Sequence, residues 1–282
     1  MTEPLSTLSD EDYRSLVRAF ESLEHPSFAV KLTNVVGTPI EMALKLLPSR
    51  WYHRFQQAAE ACVGQALDAI VANKSRLPGA RVPGDFGHKV LGMAAGAAGG
   101  FLGGPALLLE LPVTTSVMLS SITEIAEREG ENLEEMDARL ACLQVFALGG
   151  RTDEDDAADT GYYGLRLALE VPVADASRYL ARVGHAVANP GKPPALIELL
   201  NLVARRFGLV LSEKAAAQMV PLVGAATGAI INHIFIEHFQ SMARGHFSLR
   251  RLERTYGPAV IQETYTRLKQ KHRGLPLLAN AS

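Results

Sequence analysis

A segment of thirteen residues, GMAAGAAGGFLGG at positions 92–104, constrains the fold more than any other part of the chain. Four of its glycines, Gly92, Gly96, Gly100 and Gly104, recur every four residues. Because residues four apart share one face of an α-helix, this spacing predicts a helix with one bare face. Each glycine in a helix costs up to about 1 kcal/mol relative to alanine, so a closely packed neighbour is needed to compensate. A glycine-rich loop is the alternative.

A second stretch of small residues predicts the partner of that helix. Gly224 and Gly228 lie four residues apart in VGAATGAI and give a second bare helical face. Small residues at this spacing are typical of helices whose backbones approach closely. The sequence therefore predicts a central glycine-zipper helix pair. A homo-oligomer that uses the glycine face between chains is the alternative.

Helical patterns dominate the remaining sequence, and we find no convincing strand with alternating polar and apolar residues. Near the N-terminus, Ser9 and Asp12 form a capping arrangement for a first helix over residues 10–24. We therefore predict an all-α, single-domain multi-helix bundle. The expected organisation is a flexible N-terminus at 1–9, one helical domain at 10–272 and a flexible tail at 273–282.

The composition excludes several classes of protein. The chain has 28 basic and 30 acidic residues, so it has no net field that would attract nucleic acid. Its two cysteines, Cys62 and Cys142, are far apart in the sequence, which argues against a disulfide framework and suits a reducing compartment. Residues 1–20 lack the basic start and apolar run of a signal peptide. We therefore expect a cytoplasmic location.

Two charge-poor runs raise the question of a membrane. Residues 90–109 hold no charged side chain and reach the length of a transmembrane helix, and residues 215–236 contain no Asp, Glu, Lys or Arg. Pro105 interrupts the first run and Glu110 follows it directly, while no belt of Trp, Tyr, Lys or Arg flanks either run. We expect buried core helices, with peripheral insertion and true spanning as the alternatives.

A seven-residue pattern occurs twice in the chain, as LLLELPV and as LALEVPV. It places Glu110 and Glu170 two residues before Pro112 and Pro172. We interpret each glutamate as lying at a helix entrance, where the N-terminal dipole favours a carboxylate. The pattern is either an internal repeat or a coincidence. An alternative pairs the two carboxylates at one site as general acid and base or as metal ligands.

The segment NHIFIEHF supplies further candidates for chemistry. His233 and Glu237 are four residues apart and share a helical face, which permits a metal pair or a buried hydrogen bond. Because the spacing is not HExxH, we predict no metal site. Together with Glu110, Glu170 and His238, these two residues define an alternative function, an enzyme or small-ligand binder with a buried Glu/His site.

A basic segment follows, and we interpret it first as a solvated helix face that nearby acids neutralise. A site for an anion, a lipid head group or an acidic partner is the alternative. The candidate binding residues are Arg244, His246, Arg250, Arg251 and Arg254.

Four segments together resemble the bacterial EcsC family. They are GTPIEMALKLLP, the block that contains AAGGFLGGPALLLELPV, RLACLQVFALGG, and the C-terminal block that begins VPLVGAATGAI. The similarity spans residues 30–257. It implies a helical protein that is cytoplasmic or membrane-associated, and the family takes its name from an operon that also encodes an ABC transporter linked to protein secretion. It implies no catalytic residues.

The sequence also lacks a GxSxG elbow and a GxxxxGK[ST] phosphate-binding loop. We therefore expect no cofactor and favour a non-enzymatic accessory protein at the cytoplasmic face of the membrane, linked to transport or envelope processes. The expected partner is a membrane surface or a membrane protein, and nucleic acid is not expected.

Overall fold

Ten α-helices and no strand make up the part of the chain that the computed structural model describes, residues 8–24, 28–72, 104–150, 161–183, 194–220 and 225–272. The all-α prediction is therefore confirmed. The helices are α1 (Asp10–Glu24), α2 (Phe28–Val36), α3 (Ile40–Leu46), α4 (Ser49–Val71), α5 (Gly104–Arg128), α6 (Met136–Leu148), α7 (Gly161–Val183), α8 (Pro194–Met219), α9 (Ala225–Tyr256) and α10 (Pro258–His272).

Helices α8 and α9 are the centre of the packing. The first contacts α3, α4, α6 and α7, and the second contacts α1, α2, α5 and α10. One hydrophobic cluster includes buried residues from all ten helices. Phe207 of α8 lies in ring contact with Phe146 of α6 and with Phe235 and Phe239 of α9, at centroid distances of 5.1, 6.2 and 5.5 Å. Large apolar side chains thus fill the contact between these two long helices.

The start of α1 is tied to the end of α9. The backbone N–H of Asp12 donates to Ser9 Oγ at 3.1 Å, which confirms the predicted cap. The carboxylate of Asp12 accepts a hydrogen bond from the Tyr256 hydroxyl at 2.7 Å and pairs with Arg251 at 3.0 Å. These hydrogen bonds lower the pKa of Asp12. A contact across more than 230 residues of sequence therefore holds the first described helix in place.

Two helices continue through a proline. Pro112 lies within α5 and Pro172 lies within α7. The interpretation that each Glu-x-Pro marks a helix entrance is therefore wrong. A proline in a helix removes one backbone hydrogen bond, but here buried apolar neighbours such as Leu111 and Val173 keep the turns on both sides packed.

The glycine-zipper pair remains a prediction because it lies largely outside the described residues. Gly92, Gly96, Gly100 and Gly224 all fall there, while Gly104 is the first residue of α5 and Gly228 is buried in α9.

The charge-poor run at 215–236 does not form one helix, since α8 ends at Met219 and α9 begins at Ala225. Among the helices that the structure describes, none has the combination of length and apolar character that crossing a membrane requires.

Candidate functional site

A buried ion pair joins α5 to α8. The Lys214 ammonium lies 2.9 Å from Glu110 Oε1, and the two side chains are 0% and 4% exposed. The ammonium also donates to Asn232 Oδ1 at 2.5 Å and stands 4.4 Å from the centre of the Phe235 ring. Thr114 Oγ1 donates to the same oxygen of Glu110 at 3.0 Å. We call Glu110, Thr114, Lys214 and Asn232 the core polar centre.

The core polar centre keeps two opposite charges in a low-dielectric environment. Burial lowers the pKa of Lys214, and the neighbouring Glu110 carboxylate acts in the opposite direction. Glu110 Oε2 is buried and has no hydrogen-bond partner in the described part of the chain. Each charge therefore depends on the other, because removal of either one would leave an uncompensated ion in the core.

Sequence reasoning identifies one of the four members of this centre. Glu110 was a candidate, whereas Lys214 was missed because a lysine in SEKAAAQMV is expected on a solvated helix face. The available signal in the sequence is the run of three alanines that follows Lys214. The structure buries all three, Ala215, Ala216 and Ala217, so this stretch has little solvated face.

The five predicted Glu and His residues do not form one site. Glu170 is exposed on α7, whereas Glu110 is buried. His238 Nε2 donates to the Gly149 carbonyl at 2.8 Å, and the neighbouring Glu237 pairs with Arg244 instead. Consecutive residues of a helix point in different directions, so residues 237 and 238 meet different partners. His233 Nδ1 is buried with no hydrogen-bond partner in the described ranges, and within those ranges no three His, Cys, Asp or Glu side chains are placed to hold a metal ion.

The two copies of the seven-residue pattern bury opposite faces. In α5, Leu109 and Val113 are 81% and 53% exposed, but the matching Leu169 and Val173 of α7 are 1% and 5% exposed. The packing partners of each helix differ, and they decide which side of the helix faces the core. The paired-carboxylate hypothesis therefore fails, because Glu110 is buried in α5 whereas Glu170, at the same place in the pattern, is exposed on α7.

His246 belongs to an internal network and does not line the protein surface. Its Nδ1 lies 2.8 Å from the Tyr162 hydroxyl, and burial lowers the pKa of His246 well below its usual value. Burial also raises the pKa of Tyr162 to about 12. Next to this pair, the Arg166 guanidinium donates to both oxygens of Glu253 at 2.7 and 2.6 Å, and Tyr163 donates to the same carboxylate. The network fastens α7 to α9.

The four predicted arginines of α9 are each paired with acids. Burial alone would raise the pKa of Glu131, but Arg250 and Arg254 hold it below its usual value. An anion at this face would therefore meet guanidinium groups that already bind carboxylates. The pairs are Arg244 with Glu237, Arg250 with Glu131 and Asp137, Arg251 with Glu129 and Asp12, and Arg254 with Glu131.

A groove with a volume of about 260 Å³ lies between α1 and α9. Of the residues that the structure describes, three arginines, three serines and one acid, Glu129, line it. Two of these arginines, Arg244 and Arg251, are among the predicted binding residues, whereas the α1 residues are not, although positions 15, 18 and 22 share one helical face. The polar lining residues are Ser15, Arg18, Ser22, Arg244, Ser248 and Arg251.

An exposed apolar surface lies where α3 meets α4. Leu46, Met42 and Tyr52 are 83%, 59% and 42% exposed. Exposed basic side chains accompany them in the same short stretch of chain, and the Arg54 guanidinium lies 5.1 Å from the centre of the Trp51 ring. We call this surface the α3–α4 corner, and its members are Met42, Lys45, Leu46, Arg50, Trp51, Tyr52 and Arg54.

Comparison with known proteins places these sites relative to a recognised family. The model of the EcsC protein family matches residues 84–252. Comparison with curated proteins and with solved structures gives no match. The matched range includes the core polar centre and the α9 side of the groove, whereas α1 and the α3–α4 corner precede it.

Proposed function

The chain belongs to the EcsC protein family, and from this membership we propose that it works as a non-enzymatic accessory protein at the cytoplasmic surface of a membrane, in a transport or envelope process. The α3–α4 corner is the observation that supports this proposal. It combines exposed apolar side chains with basic ones, the composition of surfaces that lie in the interface of a membrane.

The apolar members supply the first contribution to membrane binding. Met42 and Leu46 are four residues apart, so they project from the same face of α3. Transfer of such a side chain from water to an apolar environment stabilises the bound state by about 1.5–3 kcal/mol. Trp51 and Tyr52 follow at the start of α4, and aromatic rings of this kind are enriched at the level of the lipid head groups.

The basic members supply the second contribution. Lys45, Arg50 and Arg54 are all exposed. Each basic residue near an anionic leaflet contributes on the order of 1 kcal/mol. Together the two contributions support reversible attachment to anionic lipid without a spanning helix.

Flotation with vesicles tests the proposal. The intact protein is mixed with vesicles of phosphatidylcholine and phosphatidylglycerol, or of phosphatidylcholine alone, and centrifuged through a density gradient. We expect flotation with the anionic vesicles, loss of flotation in the double variant Met42→Glu/Leu46→Glu, and no loss in Leu167→Glu. Leu167 is a matched control because it is 69% exposed on α7.

Two results would contradict the proposal. The first is protein that stays at the bottom of the gradient with both kinds of vesicle. The second is a double variant that floats as well as the unmodified protein, which would show that the α3–α4 corner does not touch the lipid.

A further inference from the structure

We infer that the groove between α1 and α9 binds a ligand through a phosphate group, either a phosphomonoester or a diphosphate. The inference is independent of the α3–α4 corner, which lies on other helices. It rests on the shape of the groove, on the donors that line it and on the charge of those donors.

The shape of the groove follows from one glycine. At Gly245 the two helices approach so closely that a Cβ atom would lie 2.7 Å from Leu23 Cγ and 3.1 Å from the Ala19 carbonyl oxygen. Ala19 and Gly245 both line the groove, so this close contact lies within it, and longer polar lining residues precede and follow each of them along its helix.

Arg18 supplies the most accessible positive charge. Its side chain is exposed, and its guanidinium donates to Ser15 Oγ at 2.9 Å. No carboxylate pairs with it in the described part of the chain. A guanidinium next to a hydroxyl presents several donors to one anion, which matches the three acceptor oxygens of a terminal phosphate.

The α9 side of the groove is held in position by its own ion pairs. Glu129 accepts from Ser248 Oγ and from Arg251 Nε, both at 3.0 Å, and Arg251 also pairs with Asp12. Arg244 pairs with Glu237 at 2.6 Å. These contacts orient the two arginines while each still lines the groove with more than a third of its side chain exposed, at 38% and 35%.

The balance of charge favours an anion. Among the described residues, three guanidinium groups line the groove against one carboxylate, Glu129. Arg244 and Arg251 are already paired with acids, so Arg18 supplies the positive charge that remains for a ligand. The volume of about 260 Å³ is close to the lower end of the range for small-molecule pockets. The groove therefore suits a phosphate group whose organic part extends towards solvent.

Calorimetric titration with sodium pyrophosphate at low salt tests the site. We compare the unmodified chain with Arg18→Gln and with Arg14→Gln, a control in the same helix whose exposed arginine does not line the groove. Loss of one charge-assisted hydrogen bond weakens binding by about tenfold or more. We expect this loss in Arg18→Gln, no change in Arg14→Gln, and unaltered circular dichroism in both.

A second experiment distinguishes a soluble phosphate ligand from a lipid head group. Vesicles that contain phosphatidic acid are compared with phosphatidylglycerol vesicles of equal surface charge. If the chain binds pyrophosphate through Arg18 but does not prefer phosphatidic acid vesicles, the ligand is a soluble phosphate compound. If it prefers phosphatidic acid vesicles and this preference depends on Arg18, the ligand is a lipid head group. Both results support the site. Absence of binding in both experiments, or an equal loss in Arg14→Gln and Arg18→Gln, would overturn it.

Discussion

The ammonium nitrogen of Lys214 lies 2.9 Å from Oε1 of Glu110, at a depth where neither side chain has appreciable contact with solvent. The pair connects α8 to α5, and Asn232 extends it to α9. Three long helices are thus joined by one buried electrostatic contact. The pair affects stability mainly when one member is removed, because each buried charge is tolerated only while the other is present.

Substitution of one member of this pair should be far more harmful than substitution of both. We expect Glu110→Gln or Lys214→Met to lower the free energy of unfolding by about 3–5 kcal/mol, since each leaves an isolated buried charge. The double variant should recover a large part of that loss. Urea unfolding followed by circular dichroism gives the values. Glu170→Gln is the matched control because it occupies the same place in the repeated pattern but is exposed, and a loss as large as that of Glu110→Gln would refute the explanation.

His238 should make the fold sensitive to acid. Burial lowers the pKa of His238 to about 4, whereas its usual value is 6.5. Between these pH values the unfolded chain binds a proton that the folded chain does not bind, so the free energy of unfolding falls as pH decreases. The contribution reaches about 3 kcal/mol by the acid end of this window.

The variant His238→Gln isolates that contribution. Glutamine keeps an N–H donor for the Gly149 carbonyl but does not titrate. Urea unfolding at several pH values between 4 and 6.5 should give a flatter pH dependence for this variant than for the unmodified chain. The exposed His53→Gln serves as control. Parallel curves for the unmodified chain and His238→Gln would show that burial of this imidazole does not control the acid response.

Two glycines should respond in opposite ways to the same substitution. A Cβ atom at Gly150 would collide with the backbone carbonyl of Arg206, so we expect Gly150→Ala to destabilise the fold by about 1–3 kcal/mol. At Gly64, within α4, nothing lies within 4 Å of the added atom. Gly64→Ala should therefore raise stability by up to about 1 kcal/mol through helix propensity. Thermal unfolding of the two variants checks the signs, and a stabilised Gly150→Ala protein would contradict the packing.

The two thiols should be unreactive in the native protein. Cys62 and Cys142 are 2% and 0% exposed, and burial raises the pKa of both. Because the thiolate is the reactive form, a thiol reagent such as dithiobis(nitrobenzoate) should modify both cysteines only after denaturation. Rapid release of one equivalent of chromophore under native conditions would show that one thiol is accessible.

The sequence predicted the first helix of this protein well. Ser9 and Asp12 cap α1 as expected, and the start and end of α1 agree with the predicted range 10–24. These features depend on residues a few positions apart, so the local sequence contains the information that they require.

The candidate site was harder to predict because it depends on which face of each helix is buried. Glu110 and Glu170 have nearly the same neighbours in the sequence but opposite exposure. Lys214 lies in an alanine-rich stretch, and its partner is 104 residues away. Arg18 lines a groove with residues of α9 that lie more than 200 positions later in the chain. No window of local sequence contains these pairings.

The contact between α1 and α9 joins a helix that is made early in synthesis to one that is made late. Helix α1 buries Leu16 and Phe20, and it packs chiefly against α9. A ribosome that adds 5–20 residues per second needs roughly 10–50 seconds to make the chain between Asp12 and Arg251. During that time the apolar side of α1 has left the ribosome but its partner does not yet exist. The apolar side of α1 therefore stays without its main packing partner for most of translation.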